Sequence, residues 1–186
     1  GGAVVQWLRD YMKFFKHAAE SENIASSVDK DDEVVFVPAF VGLGAPHWNM
    51  DARGAIFGLT RDTTREQVVR AALKSIAFQS MDVINAMEQD TDRKISELRV
   101  DGGATENRFL MQFQADILKV PVLIPEIRES TALGAAYLAG ITCGLFGSIN
   151  EIAVGNTIIE RFNPAMHDDL RSKHIKLWEE TISRLV

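Results

Sequence analysis

The residues best suited to chemistry lie between Asp101 and Asn107, where an apolar run ends in two adjacent glycines. Glycine has no side chain and accepts a positive φ, so a flat ligand can lie against the backbone at Gly102 and Gly103. The spacing of the apolar residues that follow predicts an amphipathic helix beginning directly after the glycines. A helix start offers unpaired N–H groups and the positive end of a dipole to an anion. The segment therefore predicts a ligand-binding corner, with an ordinary tight strand-to-helix turn as the alternative.

The composition limits the classes of function. The 186 residues are 46% hydrophobic and 25% charged, which suits one substantial globular core. A net charge of −6, without any basic run, argues against binding to nucleic acid or to an anionic membrane. The single cysteine, Cys143, cannot form an intrachain disulfide, so we expect a cytoplasmic location and a buried thiol. The longest apolar run, from Thr131 to Phe146, is too short and glycine-rich to predict a membrane span.

Alternating helical and extended patterns predict an α/β or α+β chain. Strands are predicted at Val34–Val37, Ala55–Leu59, Leu98–Val100, Val120–Pro125 and Ile158–Phe162. Helices are predicted at Ala3–Ala19, after Gly103, at Thr131–Leu145 and after Pro164. A further long helix is predicted to begin at a capping box formed by Thr63 and Glu66 and to end near Gln89. The segment Ser21–Glu33 is predicted to be a loop. The long helix after Glu66 is predicted to bury a stripe that includes Val83 and Met87.

The predicted helix Thr131–Leu145 is rich in small residues, among them Gly134 and Gly140. Each glycine costs about 1 kcal/mol relative to alanine inside a helix, so helix propensity does not explain them. Close packing against the helix that follows Gly103 would explain them, with Gly134 or Ala135 at the nearest approach.

Several long strings resemble the glycerol kinases. They are Phe36–Trp48, Ala52–Arg61, Arg99–Ala104, Phe109–Gln114 and Thr131–Gly140, and the similarity extends from Gly2 to about Trp178. Members of this family contain two ribonuclease-H-like ATPase domains, as in actin and hexokinase, with the active site between them. The resemblance implies that residues 1–186 form part of the C-terminal nucleotide-binding domain, a helix-rich α/β unit without the domain's opening strands. A strand at Leu98–Val100 would then lack a neighbour on one side, and a first residue that is not methionine fits a partial chain.

The resemblance also implies a nucleotide site. In this family the residues that correspond to Gly103 and Asn107 contact ADP or ATP, and those that correspond to Gly2 and Gln6 lie on the same nucleotide. The implied cofactors are ATP and Mg²⁺, with the metal ligands outside this chain. No metal site is predicted within it, since His167 and His174, seven residues apart with no cysteine nearby, are expected to be solvated.

The implied activity is ATP-dependent phosphorylation of glycerol to sn-glycerol 3-phosphate in glycerol catabolism. Glycerol and the catalytic carboxylate would belong mainly to a preceding N-terminal portion, so we predict no catalytic residue here and no activity from this chain alone. A homo-oligomer is expected. Two alternatives are another sugar kinase of the same superfamily, acting on xylulose or gluconate, and a non-catalytic actin-like or chaperone-like nucleotide module.

Overall fold

A computed structural model describes residues 2–28, 33–127, 129–152 and 157–186. The described chain is a helix-rich α/β structure, as the sequence predicts. The helices are α1 (Gly2–Asp10), α2 (Glu20–Ser26), α3 (Arg65–Thr91), α4 (Arg108–Leu118), α5 (Ser130–Thr142), α6 (Ile149–Ile152) and α7 (Asp168–Ile182). The strands are β1 (Val35–Val37), β2 (Ala55–Phe57), β3 (Leu98–Arg99), β4 (Val122–Pro125) and β5 (Ile158–Phe162), and a 3₁₀ turn covers Gly103–Glu106.

The strands form two narrow sheets. Strands β1 and β2 pair antiparallel, with Val35 opposite Phe57. The other sheet has the order β3-β4-β5, in which β3 runs parallel to β4 and β5 runs antiparallel to it. Strand β3 is therefore an edge among the described strands, which agrees with the predicted open side of Leu98–Val100.

Helix α3 is the central element, and it contacts α1, α2, α4 and β1. Its capping box lies one residue later than predicted: the Thr64 hydroxyl accepts from Gln67 N and the Gln67 side chain accepts from Thr64 N. The predicted buried stripe is wrong in its second half, because Val83 and Met87 are 39% and 60% exposed. The alanines of the first half are buried instead, since their small side chains let α2, α4 and β1 approach closely.

An aromatic cluster joins α3, α4 and α7. The rings of Phe78 and Trp178 stack with centroids 5.0 Å apart, and Phe113 meets Phe78 edge to face at 5.4 Å. His174 is 6% exposed and lies 5.5 Å from the Phe113 ring, so the prediction of a solvated His174 is wrong. Trp178 of α7 is buried, whereas Leu170 of the same helix is 38% exposed.

The predicted helix Ala3–Ala19 is interrupted. Helix α1 ends at Asp10, and the chain turns at Lys13, which has a φ of 57°. The turn carries Phe15 into a core with Val4 and Leu8. The segment predicted as a loop from Ser21 contains α2, which sequence periodicity missed because only about two turns of helix are present.

Helix α5 does not pack against α4 as predicted. Ala135 is exposed, and a Cβ placed on Gly134 would meet nothing within 4 Å. The close approach is at Gly140, where an added Cβ would lie 2.7 Å from the ring of Phe146, in the turn that follows α5. The apolar residues of α5 surround the helix, so no single face directs it onto a neighbour. Cys143 follows α5 and is exposed, contrary to expectation.

Among the described residues no helix is both long and apolar enough to cross a membrane.

Candidate functional site

A cleft of about 490 Å³ lies between α1, the start of α2 and the double-glycine corner. We call it the corner cleft. It brings together Gly2, Gln6, Gly103 and Asn107, the four residues named from the sequence as a nucleotide site. The remaining lining residues are Val5, Arg9, Ala18, Ala19, Ser21, Glu22, Leu73, Ala104, Glu106 and Leu110.

The corner itself is a fixed turn. Gly102 has a φ of 81°, a backbone conformation in which a side chain is strained. The Thr105 hydroxyl and the Thr105 N–H both donate to the Gly102 carbonyl, at 2.8 and 3.1 Å, and Thr105 is buried. The 3₁₀ turn from Gly103 separates the corner from α4, so the α-helix does not begin directly after the glycines as predicted. Gly103 borders the cleft with no side chain in the way of a ligand.

Asn107 is the N-cap of α4. Its Oδ1 accepts from Leu110 N at 2.9 Å, and its Nδ2 donates to Ser21 Oγ at 3.2 Å. The next backbone N–H, that of Arg108, donates to Glu22 Oε2 at 2.8 Å. The N–H groups of Arg108 and Leu110 at the start of α4 are therefore already bonded to side chains. As a result, this helix start offers fewer unpaired donors to an anion than the sequence predicts.

Helix α1 forms the opposite wall. Val4 and Leu8 are buried in the core, which turns Gly2 and Gln6 to the exposed side of the helix. Arg9 is one helical turn beyond Val5 and Gln6, and its Nε donates to Asp10 Oδ1 at 2.7 Å. Hydrogen bonding and charge attraction between the two lower the pKa of Asp10 and raise that of Arg9. The cleft therefore carries one cation that already has an anionic partner, together with the carboxylates Glu22 and Glu106.

The residues at 18–22 are the part of the cleft that sequence reasoning missed. Ala18 and Ala19 offer small apolar surface, while Ser21 and Glu22 bond to the start of α4. No motif marks these positions, and their role depends on the turn between α1 and α2.

A second cavity of about 220 Å³ lies under the irregular loop after β1. There Asp82 Oδ2 lies 3.0 Å from His47 Nε2 and accepts from Trp178 Nε1 at 2.9 Å. These bonds join the loop and α7 to α3, which makes Asp82 a structural link. The described residues contain no group of three or more His, Cys, Asp or Glu side chains that could hold a metal ion.

Comparison with known proteins gives a consistent pattern. A model of the C-terminal domain of the FGGY family of carbohydrate kinases matches residues 1–143. Glycerol kinase 2 of Thermotoga maritima is 55% identical over 183 residues, which are 98% of this chain and 37% of that protein. The crystal structure of Plasmodium falciparum glycerol kinase with ADP is 34% identical with a TM-score of 0.86, over 100% of this chain and 37% of that one.

A more distant match is a ligand-bound xylulose kinase from Lactobacillus acidophilus, which is 25% identical with a TM-score of 0.80, over 98% of this chain and 37% of that one. The chain thus spans little more than a third of the length of these proteins.

Proposed function

Because the chain belongs to the FGGY family of carbohydrate kinases, we propose that the corner cleft binds the nucleoside end of ATP or ADP. The observation that carries the proposal is the convergence of Gly2, Gln6, Gly103 and Asn107 on one cleft, although α1 and the glycine corner are distant in sequence. A volume of about 490 Å³ is within the usual range for small-molecule sites.

The charge and shape of the corner cleft favour binding of the nucleoside rather than the phosphates. Glu22 and Glu106 would repel a triphosphate, and Arg9 is already paired with Asp10. Ala18, Ala19 and the backbone at Gly103 instead provide small, flat surfaces against which a base can pack. The phosphates would extend out of the cleft, toward the part of the protein that carries the sugar substrate.

For the whole protein we propose transfer of the ATP γ-phosphoryl group to a terminal hydroxyl of glycerol, giving sn-glycerol 3-phosphate. The 55% identity to a glycerol kinase, against 25% to a xylulose kinase, supports glycerol as the acceptor. In such a transfer a carboxylate accepts the hydroxyl proton, and positioning supplies most of the catalysis. We place that carboxylate, and the residues that bind glycerol, outside this chain.

Mg²⁺, when bound, would supply neutralisation of the charge that develops on the phosphoryl group in reactions of this type. The described residues offer no cluster to hold it, so the proposal assigns its ligands to the nucleotide and to the rest of the protein. The role of this chain is to bind and orient the nucleoside.

We also propose a cytoplasmic location and association between copies of the protein. An exposed free thiol at Cys143 is compatible with a reducing cytoplasm. The edge of β3, which is open among the described strands, and the apolar exposed surface of α5 support association between copies.

The test is a substrate panel on the full-length protein. ADP release would be followed with glycerol, xylulose and gluconate as acceptors, and glycerol should give the highest kcat/KM. Preference for xylulose or gluconate would replace the acceptor in this proposal. ADP binding without turnover on any of the three would favour a non-catalytic nucleotide module.

A further inference from the structure

Ser21 is buried at the start of α2, where its hydroxyl has two partners. It is 2% exposed, and its Oγ donates to the Ala18 carbonyl at 2.6 Å. A hydroxyl has one proton, so Oγ must be the acceptor in its 3.2 Å contact with Asn107. The atom of Asn107 that faces Ser21 is therefore the amide nitrogen.

An independent bond fixes the other end of the same amide. Asn107 Oδ1 accepts from Leu110 N at 2.9 Å. An inverted amide would set Nδ2 against the Leu110 N–H and would set Oδ1 against a hydroxyl whose proton is already committed. Both contacts thus select one orientation, with the oxygen on α4 and the nitrogen on Ser21.

This orientation decides what Asn107 offers to a ligand. Nδ2 carries two N–H groups, and one of them donates to Ser21 Oγ. Asn107 lines the corner cleft and is half-buried, so the second N–H is a donor available at the cleft wall. The bond from Arg108 N to Glu22 Oε2 holds α2 and α4 together beside it.

We infer that Ser21 is a positioning residue for nucleotide binding, which holds the Asn107 amide so that it donates to an acceptor atom of the nucleotide. The inference rests on the proposed function of the corner cleft and adds to it a residue that does not itself need to touch the ligand. An acceptor on the base or ribose, such as a ring nitrogen or a hydroxyl oxygen, is the ligand chemistry that this donor recognises.

The test is a double-mutant cycle in the full-length protein, with the ADP dissociation constant measured by titration calorimetry. Ser21→Ala removes the acceptor for Nδ2. Asn107→Ser removes Nδ2 but keeps a good N-cap oxygen for Leu110 N, so α4 should remain intact. Ser26→Ala, at an exposed position of the same helix, is the matched control. Melting curves, kcat and the KM for ATP at saturating glycerol are recorded for every variant.

Ser21→Ala should weaken ADP binding by about 3- to 10-fold, the effect of one hydrogen bond, and should raise the KM for ATP by a similar factor with a smaller change in kcat. In the Asn107→Ser background the same substitution should have no further effect, because the group through which Ser21 acts is gone. Ser26→Ala should bind ADP like the parent protein.

An equal loss from Ser21→Ala in both backgrounds would overturn the inference, since Ser21 would then act independently of Asn107. The inference about Ser21 would also be overturned if Asn107→Ser weakens ADP binding and Ser21→Ala does not. That result would still support the corner cleft as the nucleotide site. Unchanged affinity in Asn107→Ser would remove Asn107 from the nucleotide site and overturn the inference, whereas ADP affinity in Gly103→Val tests the cleft assignment separately.

Discussion

Replacing Gly103 by valine should separate nucleotide binding from folding. Gly103 begins the 3₁₀ turn and borders the corner cleft. A Cβ built on it would meet no protein atom within 4 Å, and its φ lies outside the positive range. The valine side chain therefore fits without a clash in the protein. It would occupy the part of the corner cleft in which we place the nucleoside.

The expected magnitudes differ between the two properties. Valine at an exposed turn position changes the free energy of unfolding by less than about 1 kcal/mol. The added isopropyl group, which has three carbon atoms, costs about 1–3 kcal/mol by overpacking in a filled site. That cost corresponds to about 5- to 150-fold weaker binding.

The assay is ADP titration calorimetry on the full-length protein, together with urea unfolding. Gly102→Ala is the matched variant, since an added Cβ there also meets nothing within 4 Å but the φ is 81°. Its φ of 81° and ψ of 174° lie in a region that essentially only glycine adopts, so the alanine variant should lose about 1–3 kcal/mol of stability through backbone strain. Parent-like ADP affinity in a folded Gly103→Val protein would refute the reasoning and remove Gly103 from the site.

The remaining predictions concern activity, helix α5, acid stability and association. The chain of residues 1–186 alone should release no ADP in a coupled assay with glycerol. Turnover above buffer would contradict the proposal that the catalytic carboxylate and the glycerol-binding residues lie outside this chain. Gly134→Ala should raise the free energy of unfolding by about 0.5–1 kcal/mol in urea melts, because nothing lies near the new methyl group; a loss would indicate a hidden packing partner. Bonds from Lys94 Nζ (2.6 Å) and Ile95 N (2.9 Å) lower the pKa of Glu88, so its contribution to stability is present above the unfolded-state pKa and disappears as the pH falls through the folded-state pKa. Glu88→Gln should therefore destabilise at neutral pH and converge with the parent in acid, and an equal deficit at both would refute the ion-pair explanation. Light scattering of the isolated chain at increasing concentration should detect association through the β3 edge, whereas a constant monomer mass would argue against it.

The sequence predicted most of the elements that have a strong local signal. Strands such as Ile158–Phe162 and the long helix α3 were predicted because apolar period and capping residues are local properties. The four residues named from the resemblance lie in one cleft, although only Gly103 belongs to one of the long matching strings. The capping box was off by one residue because Thr63 and Thr64 both fit the pattern, and the structure uses Thr63 Oγ1 to accept from Thr60 N.

The sequence-based predictions failed at positions where tertiary contacts determine the local structure. The turn at Lys13 and helix α2 exist because Phe15 is buried beside Leu8, which no helical period encodes. Small residues in α5 suggested a helix–helix contact, but the requirement comes from Phe146 against Gly140 in the next turn. The contribution of Ser21 depends on a bond across 86 positions of the chain and has no local sequence signal.

A crystal structure of the full-length protein with ADP tests the central claim most directly. We expect the base and ribose to occupy the corner cleft, against Gly103 and within hydrogen-bonding distance of Asn107 Nδ2, with the phosphates directed away from Glu22 and Glu106. Ordered ADP elsewhere, with the corner cleft filled only by solvent, would contradict it.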